Sequence, residues 1–285
     1  MTTINETTSA LPGVNVLLEG PAGTGKTHSI GTLVDSGVEV FYLALEPGLE
    51  SLLGYWTDAG KPIPANLHWH TVSPPKASFK EMIANADKVN TLSYEMLTKL
   101  QDPDRSKHNQ FKGTLEVLSK FVDQRTGEDF GSVDDWDTSR ALVIDGLTGL
   151  NRAAMSLVVG GKPVRSMSDW GIAQNQLEGL LRMLCDNCQC HFILIAHVER
   201  ETDEILGGVK LTVSTLGKAL APKIAAMFSD VVLAVRSGTK FTWDTASPMA
   251  DLKTRNLPIK SDNLPTFSSI IGKWRSRGGK SLDTK

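Results

Sequence analysis

The stretch Val14-Asn15-Val16-Leu17-Leu18-Glu19-Gly20-Pro21-Ala22-Gly23-Thr24-Gly25-Lys26-Thr27 decides the fold. Its last eight residues fit G-x-x-x-x-G-K-[ST] at every position, and they follow the apolar run Val14 to Leu18. Strand, glycine-rich turn and helix in that order are the context in which the pattern has a mechanism. The glycines let backbone N–H groups curl around phosphate oxygens, and Lys26 brings a mobile positive charge to β- and γ-phosphates. The Thr27 hydroxyl can ligate magnesium. The helix behind the loop adds partial positive charge at its N-terminus. Gly20 to Thr27, continued by His28, are therefore expected to hold ATP with Mg2+. An inert glycine-rich turn is the alternative, and placement between an apolar strand and a helix-forming stretch argues against it.

Further apolar runs, Val38 to Leu45, Ala141 to Ile144, Phe192 to Ala196 and Val231 to Val235, recur with helix-like or loop segments between them. This layout predicts an α/β fold with a mostly parallel central sheet flanked by helices, its strands covered on both faces. Functional residues then belong at the carboxyl ends of the strands. A helical insert is expected over about residues 76–138. It carries the patterns Phe79, Met82, Ile83, Ala86 and Leu115, Leu118, Phe121, Val122, and is read as a helical layer over the sheet. One domain is expected over residues 11–275, after a flexible segment 1–10 and before a small, polar, disordered tail from Ser276 to Lys285.

With 285 residues, 40% of them hydrophobic, the chain can build a sizeable core. No run approaches the ~20 apolar residues of a membrane span, and the start is polar rather than signal-like, so a cytoplasmic location is expected. A formal net charge of −2 gives no global basic field, and any nucleic-acid contact has to be local. Cys185, Cys188, Cys190 and His191 resemble a metal cluster on paper. The spacing straddles a helix end and a strand start, however, which turns the side chains in different directions and favours buried or loop thiols.

Ala141-Leu142-Val143-Ile144-Asp145 is an apolar strand ending in a carboxylate, the form of a magnesium-organising aspartate. Gly146 follows it, where many ATPases place the water-activating glutamate. Glu46, at the end of Val40-Phe41-Tyr42-Leu43-Ala44-Leu45, is the candidate base, provided its strand lies beside the aspartate-bearing one. A solvated loop acid is the alternative, with Glu50 as the fallback. His197 ends Phe192-Ile193-Leu194-Ile195-Ala196 and can reach the γ-phosphate or its attacking water as a sensor.

This order of motifs resembles the RecA-type ATPase core over roughly residues 11–260, and in particular the phage-encoded RecA-core P-loop proteins that include the single-strand annealing proteins of the Sak group. The residues that carry the likeness are Leu45-Glu46-Pro47-Gly48, Val143-Ile144-Asp145 and Ala196-His197-Val198-Glu199. The resemblance implies Mg-dependent ATP hydrolysis, DNA-stimulated and carried out in a ring or filament. It makes single-stranded DNA and further copies of the chain the partners, with a single-strand binding protein as another. Glu46 becomes the base, Asp145 the magnesium organiser and His197 the sensor.

Lys253-Thr254-Arg255-Asn256 resembles the Lys-x-Arg element that DnaB helicases and KaiC present to a neighbour's ATP. Arg255, helped by Lys253, would be that finger, the alternative being a solvated basic pair. The DNA loops of such proteins fall here at Val159 to Trp170, with Lys162 and Arg165, and at Glu199 to Ala219, with Arg200, Lys210 and Lys218. Spaced cations among glycines suit a phosphate backbone, although Glu199, Glu201, Asp203 and Glu204 oppose it. Trp170 is read as packing, with Ile172, Leu177 and Leu180 turned to the core. The core fills nearly the whole sequence, so annealing or loading of strands is expected rather than full strand exchange. Two other readings stay open: a ring helicase or translocase, and a nucleotide-gated protein scaffold without DNA activity.

Overall fold

A computed structural model describes residues 11–74, 76, 78–100, 106–202 and 207–280. In chain order its elements are β1 (Asn15–Glu19), α1 (Lys26–Ser29), α2 (Gly31–Asp35), β2 (Glu39–Ala44), α3 (Leu49–Thr57), β3 (Leu67–Thr71), α4 (Phe79–Thr91), α5 (Tyr94–Lys99) and α6 (Gln110–Ser119). There follow β4 (Arg140–Asp145), α7 (Leu147–Val159), α8 (Met167–Arg182), β5 (His191–Ala196), β6 (Val198–Thr202), β7 (Val209–Val213), α9 (Ala221–Met227), β8 (Asp230–Ser237), β9 (Lys240–Asp244) and α10 (Phe267–Ser276).

The expected α/β architecture is present. Seven strands form one sheet in the order β3-β2-β4-β5-β1-β8-β9, parallel throughout except for β9, which runs antiparallel to β8. Alternation along each strand sorts the core into two layers. Phe41 and Leu43 of β2 join Leu142 and Ile144 of β4 against α6, α7, α8 and α9. Val40 and Tyr42 join Ala141 and Val143 on the opposite face, which α2, α3 and α10 cover with Leu33, Trp56, Ile270 and Trp274.

β3 carries Leu-His-Trp-His-Thr and has no apolar run to announce it. His68 is buried there because Asp123 bonds its Nδ1 at 3.0 Å. Residues 122–124 close this sheet edge: Gln124 donates its N–H to Trp69 O at 2.9 Å, and Trp69 donates to Asp123 Oδ1 at 3.3 Å. A capped edge cannot recruit another strand.

The insert departs from expectation. Only its second half layers the sheet, through Phe111, Thr114 and Leu118 of α6. α4 is set by a capping box, Ser78 accepting from Glu81 N–H and Glu81 from Ser78 N–H, yet none of its residues is buried. Phe79 is 85% exposed, and Met82 and Ile83 of the same stripe are exposed too. Periodicity identified the apolar face correctly, but nothing within the described residues covers it.

The tail also differs. Ser276 closes α10, Gly279 donates its N–H to Trp274 O at 3.2 Å, and Thr138 Oγ1 donates to Lys280 O at 2.6 Å. Residues 276–280 are thus bonded into the fold, because Gly279 lets the chain turn back against the Trp274 ring. The expectations for residues 1–10 and 281–285 lie outside the described residues.

Candidate functional site

β4 pairs with β2 so that Ala44 stands beside Asp145, and with β5 so that Asp145 stands beside Ile195. This register brings Asp145, Glu46 and His197 to one rim of the sheet. β1 ends at the same rim, since Glu19 pairs with Ala196, and releases the glycine-rich loop there. Gly25 has φ +77° and opens α1, a conformation that other residues adopt only with strain.

Lys26 is buried and donates from Nζ to Gly20 O at 2.7 Å and to Pro21 O at 2.8 Å. Burial pulls its pKa down to about 8, against the opposing pull of the Asp145 and Glu46 carboxylates. Thr27 Oγ1 donates to Asp145 Oδ2 at 2.6 Å, and the Tyr42 hydroxyl donates to the same oxygen at 2.5 Å. Burial raises the pKa of Asp145 while the two hydroxyls work to lower it. Burial, followed by the charge of Asp145, pushes the Tyr42 phenol well above its usual range.

Glu46 lies between two cations or potential cations. Arg152 of α7 donates from Nη2 to its Oε1 at 2.8 Å, and His197 Nε2 stands 3.8 Å from its Oε2. The missing glutamate after Asp145 now has a steric explanation. Gly146 has φ +116°, and a β-carbon there would meet Glu46 Cγ at 2.7 Å. The volume next to Asp145 is already occupied by an acid delivered from β2. Glu50, the fallback, is exposed in the first turn of α3. His28 is exposed, with its ring 5.0 Å from that of Tyr55.

Other candidates fall elsewhere. Lys253 pairs antiparallel with Val231 near the start of β8, so Lys253 and Arg255 sit at the amino-terminal rim, the one opposite the phosphate loop. Lys253 Nζ is bonded to Ala226 O at 2.9 Å, while Arg255 is exposed. The structure does not bring this pair to the chain's own loop.

The expected divergence of the cysteine group holds only for His191: Cys185, Cys188 and Cys190 all pack with one core layer, and strand alternation turns His191 to the other. The His191 ring meets Trp274 of that other layer at 4.7 Å and accepts the Val14 N–H at 3.0 Å. Burial drives His191 down to about 4 and Cys185 and Cys190 up to about 12. Among the described residues no group of three metal-binding side chains is assembled.

Of the two loops, the second contains a hairpin, β6 with β7, rather than irregular chain. Lys210 pairs with Asp251 at 3.0 Å, Lys218 with Glu201 at 3.5 Å, and Arg200 is exposed. Asp203 and Glu204 lie outside the described residues. In the first loop Arg165 stacks over Trp170, with its guanidinium 5.9 Å from the ring centroid. Trp170 itself packs on the core, as do Leu177 and Leu180, while Ile172 is half exposed.

Sequence reasoning missed Tyr42, Arg152 and a pair on the β8–β9 hairpin, Arg236 and Phe241, which flank the loop. Tyr42 was visible only as one more apolar strand residue. The other three carry no local motif.

A family model described as "AAA domain" matches residues 13–256. The chain belongs to this family of P-loop ATPases, and the sheet that positions the loop and Asp145 is the fold such a core requires. No curated protein matches it. Among the described residues no helix is long and apolar enough to cross a membrane.

Proposed function

We propose that this chain binds and hydrolyses ATP with Mg2+ at the Gly20–Thr27 loop. The observation that carries the reading is the convergence of Lys26, the Thr27–Asp145 pair and Glu46 on one rim. Thr27 and Asp145 offer two oxygens 2.6 Å apart, a donor set that suits a hard divalent cation keeping most of its water. Bound there, the cation would neutralise charge between the terminal phosphates. Lys26 would exchange the Gly20 and Pro21 carbonyls for phosphate oxygens, which favours its charged form. Glu46 would orient and deprotonate the attacking water once Arg152 and His197 loosen their hold on it, with His197 registering the γ-phosphate.

The expected result is that Lys26→Ala removes most turnover, about 100-fold or more, because phosphate neutralisation is lost. Near wild-type turnover in a clean preparation would refute the assignment.

The polymer acted on is proposed to be single-stranded DNA, in annealing or loading during recombination or replication, with the protein working as an oligomer. What supports this is the link from the site to the second loop. Asn151, next to Arg152, donates to Ser214 O at 2.9 Å, and Ser214 N–H bonds His197 O at 2.8 Å, so α7, the sensor residue and the hairpin with Arg200 are tied together. Arg255 would reach ATP only in a neighbouring copy. Filter binding across salt tests the DNA reading. Contact by several cations gives a log–log slope of about −0.7 per phosphate neutralised on single strands, and a flat profile or no retention would favour a ring motor on duplex or a protein scaffold instead.

A further inference from the structure

Summed over the groups at the loop, the site is short of positive charge. Lys26 is set against Asp145, and Glu46 against Arg152, which leaves little to balance a triphosphate that stays anionic even with its magnesium. The cations proposed from sequence to help, Lys253 and Arg255, are on the far rim. A cation of the same chain is nearer.

β8 continues past the end of β1 and turns back into β9 at residues 237–240, and this hairpin overhangs the phosphate loop. Arg236 Nη1 lies 3.9 Å from where a β-carbon would stand on Gly23, at the loop's tip. Phe241, the directly opposed partner of Arg236 in the ladder, lies against Gly25, its ring edge 3.2 Å from the corresponding point there. The guanidinium rests over the Phe241 face at 5.3 Å and is tethered by Nε–H to Gly238 O at 2.9 Å. Arg236 is exposed, and among the described residues it has no carboxylate partner. An arginine that makes no ion pair but is stacked and tethered within reach of a glycine-rich anion loop is positioned for an anion.

We infer that Arg236 is a phosphate-binding residue acting in cis, with Phe241 as the perch that keeps its guanidinium beside Gly23. The chain then needs no second subunit to complete the charge balance of the bound triphosphate, and any neighbour's arginine would act on top of a site already neutralised. The inference rests on triphosphate binding at the loop. It adds that the contact is to phosphate rather than to base or ribose.

Calorimetric titration with Mg-ATP and, separately, Mg-tripolyphosphate tests it, since the second ligand has no base or sugar. Arg236→Ala is expected to weaken both ligands by about tenfold, the loss of one charge-assisted contact, with Arg236→Lys recovering part of that loss for both. Affinities within twofold of wild type for both ligands would overturn the inference. So would a loss confined to Mg-ATP, because the contact would then be to the nucleoside. Lys26→Ala run in parallel separates the two levels. If it abolishes binding of both ligands while Arg236→Ala changes nothing, only the Arg236 inference falls; if it binds both as wild type, the loop reading fails and the inference with it.

Discussion

Asp145 and Asp230 are both buried carboxylates at the ends of parallel strands, one at each rim of the sheet. Their partners separate their roles. Asp230 accepts from Thr254 Oγ1, the N–H groups of Arg255 and Asn256, Asn256 Nδ2 and Ser229 Oγ, so both its oxygens are committed to the chain's own donors. It pins the 253–256 turn to the start of β8. Among the described residues the Asp145 carboxylate accepts only two hydroxyls, and both on one oxygen. A hydroxyl can rotate away or share its oxygen with a cation, whereas a backbone N–H held in a turn cannot. One rim is therefore closed by its own hydrogen bonds, and the other remains open to a ligand.

This contrast is breakable by paired substitutions. Asp145→Asn should lower turnover about 1,000-fold, equivalent to about 4 kcal/mol of transition-state stabilisation. It should cost no more than ~1 kcal/mol of stability without nucleotide, since the amide oxygen still accepts from Thr27 and Tyr42. Asp230→Ala should do the reverse. Leaving several buried donors unpaired costs about 3 kcal/mol, read as a lower urea midpoint at unchanged slope. Turnover per folded molecule should stay within about threefold, because the two rims share no partners. Loss of both properties in both variants would mean that the rims are not separable.

A pH-dependent effect sharpens the picture of the open rim. Glu19, the last residue of β1, is buried beside Leu211, Val213 and Ala225, and burial together with the nearby Asp251 raises its pKa from 4.5 to about 8. Its folded value stands above the unfolded one, so the stability it contributes is complete below about pH 4.5 and is lost as pH rises through about 8. Glu19→Gln cannot ionise and escapes that loss. Its advantage over wild type should grow by ~4 kcal/mol between pH 5 and pH 8.5 and then level off, as followed by urea unfolding. A pH-independent difference would show that Glu19 keeps its charge state across that range.

The loop, the sheet and Asp145 were legible because each is local: a contiguous motif, or an apolar run closed by an acid. Glu46 was legible once β2 was taken to lie beside β4, as the register has it. What escaped reaches the rim through tertiary packing. Arg152 is one of several polar residues along α7, and Arg236 and Phe241 become a pair only when β9 folds back on β8. β3 was hidden by its histidines, which are buried or half-buried thanks to Asp123 and Val122, more than fifty residues away. β6 and β7 were hidden by charges, Val-Glu-Arg-Glu-Thr and Val-Lys-Leu-Thr-Val, because a hairpin lying outside the main sheet needs no continuous apolar run. The α4 stripe teaches the converse: a period of 3.6 marks an apolar face but does not say what meets it.

The most direct test of the open rim is Glu46→Gln, measured for Mg-ATP affinity by calorimetry and for turnover in the same preparation. The amide keeps the shape of Glu46 and removes its basicity, so affinity should stay within about threefold while turnover falls about 100-fold or more. Equal loss of affinity and rate, or turnover left near wild type, would contradict Glu46 as the group that readies water at this site.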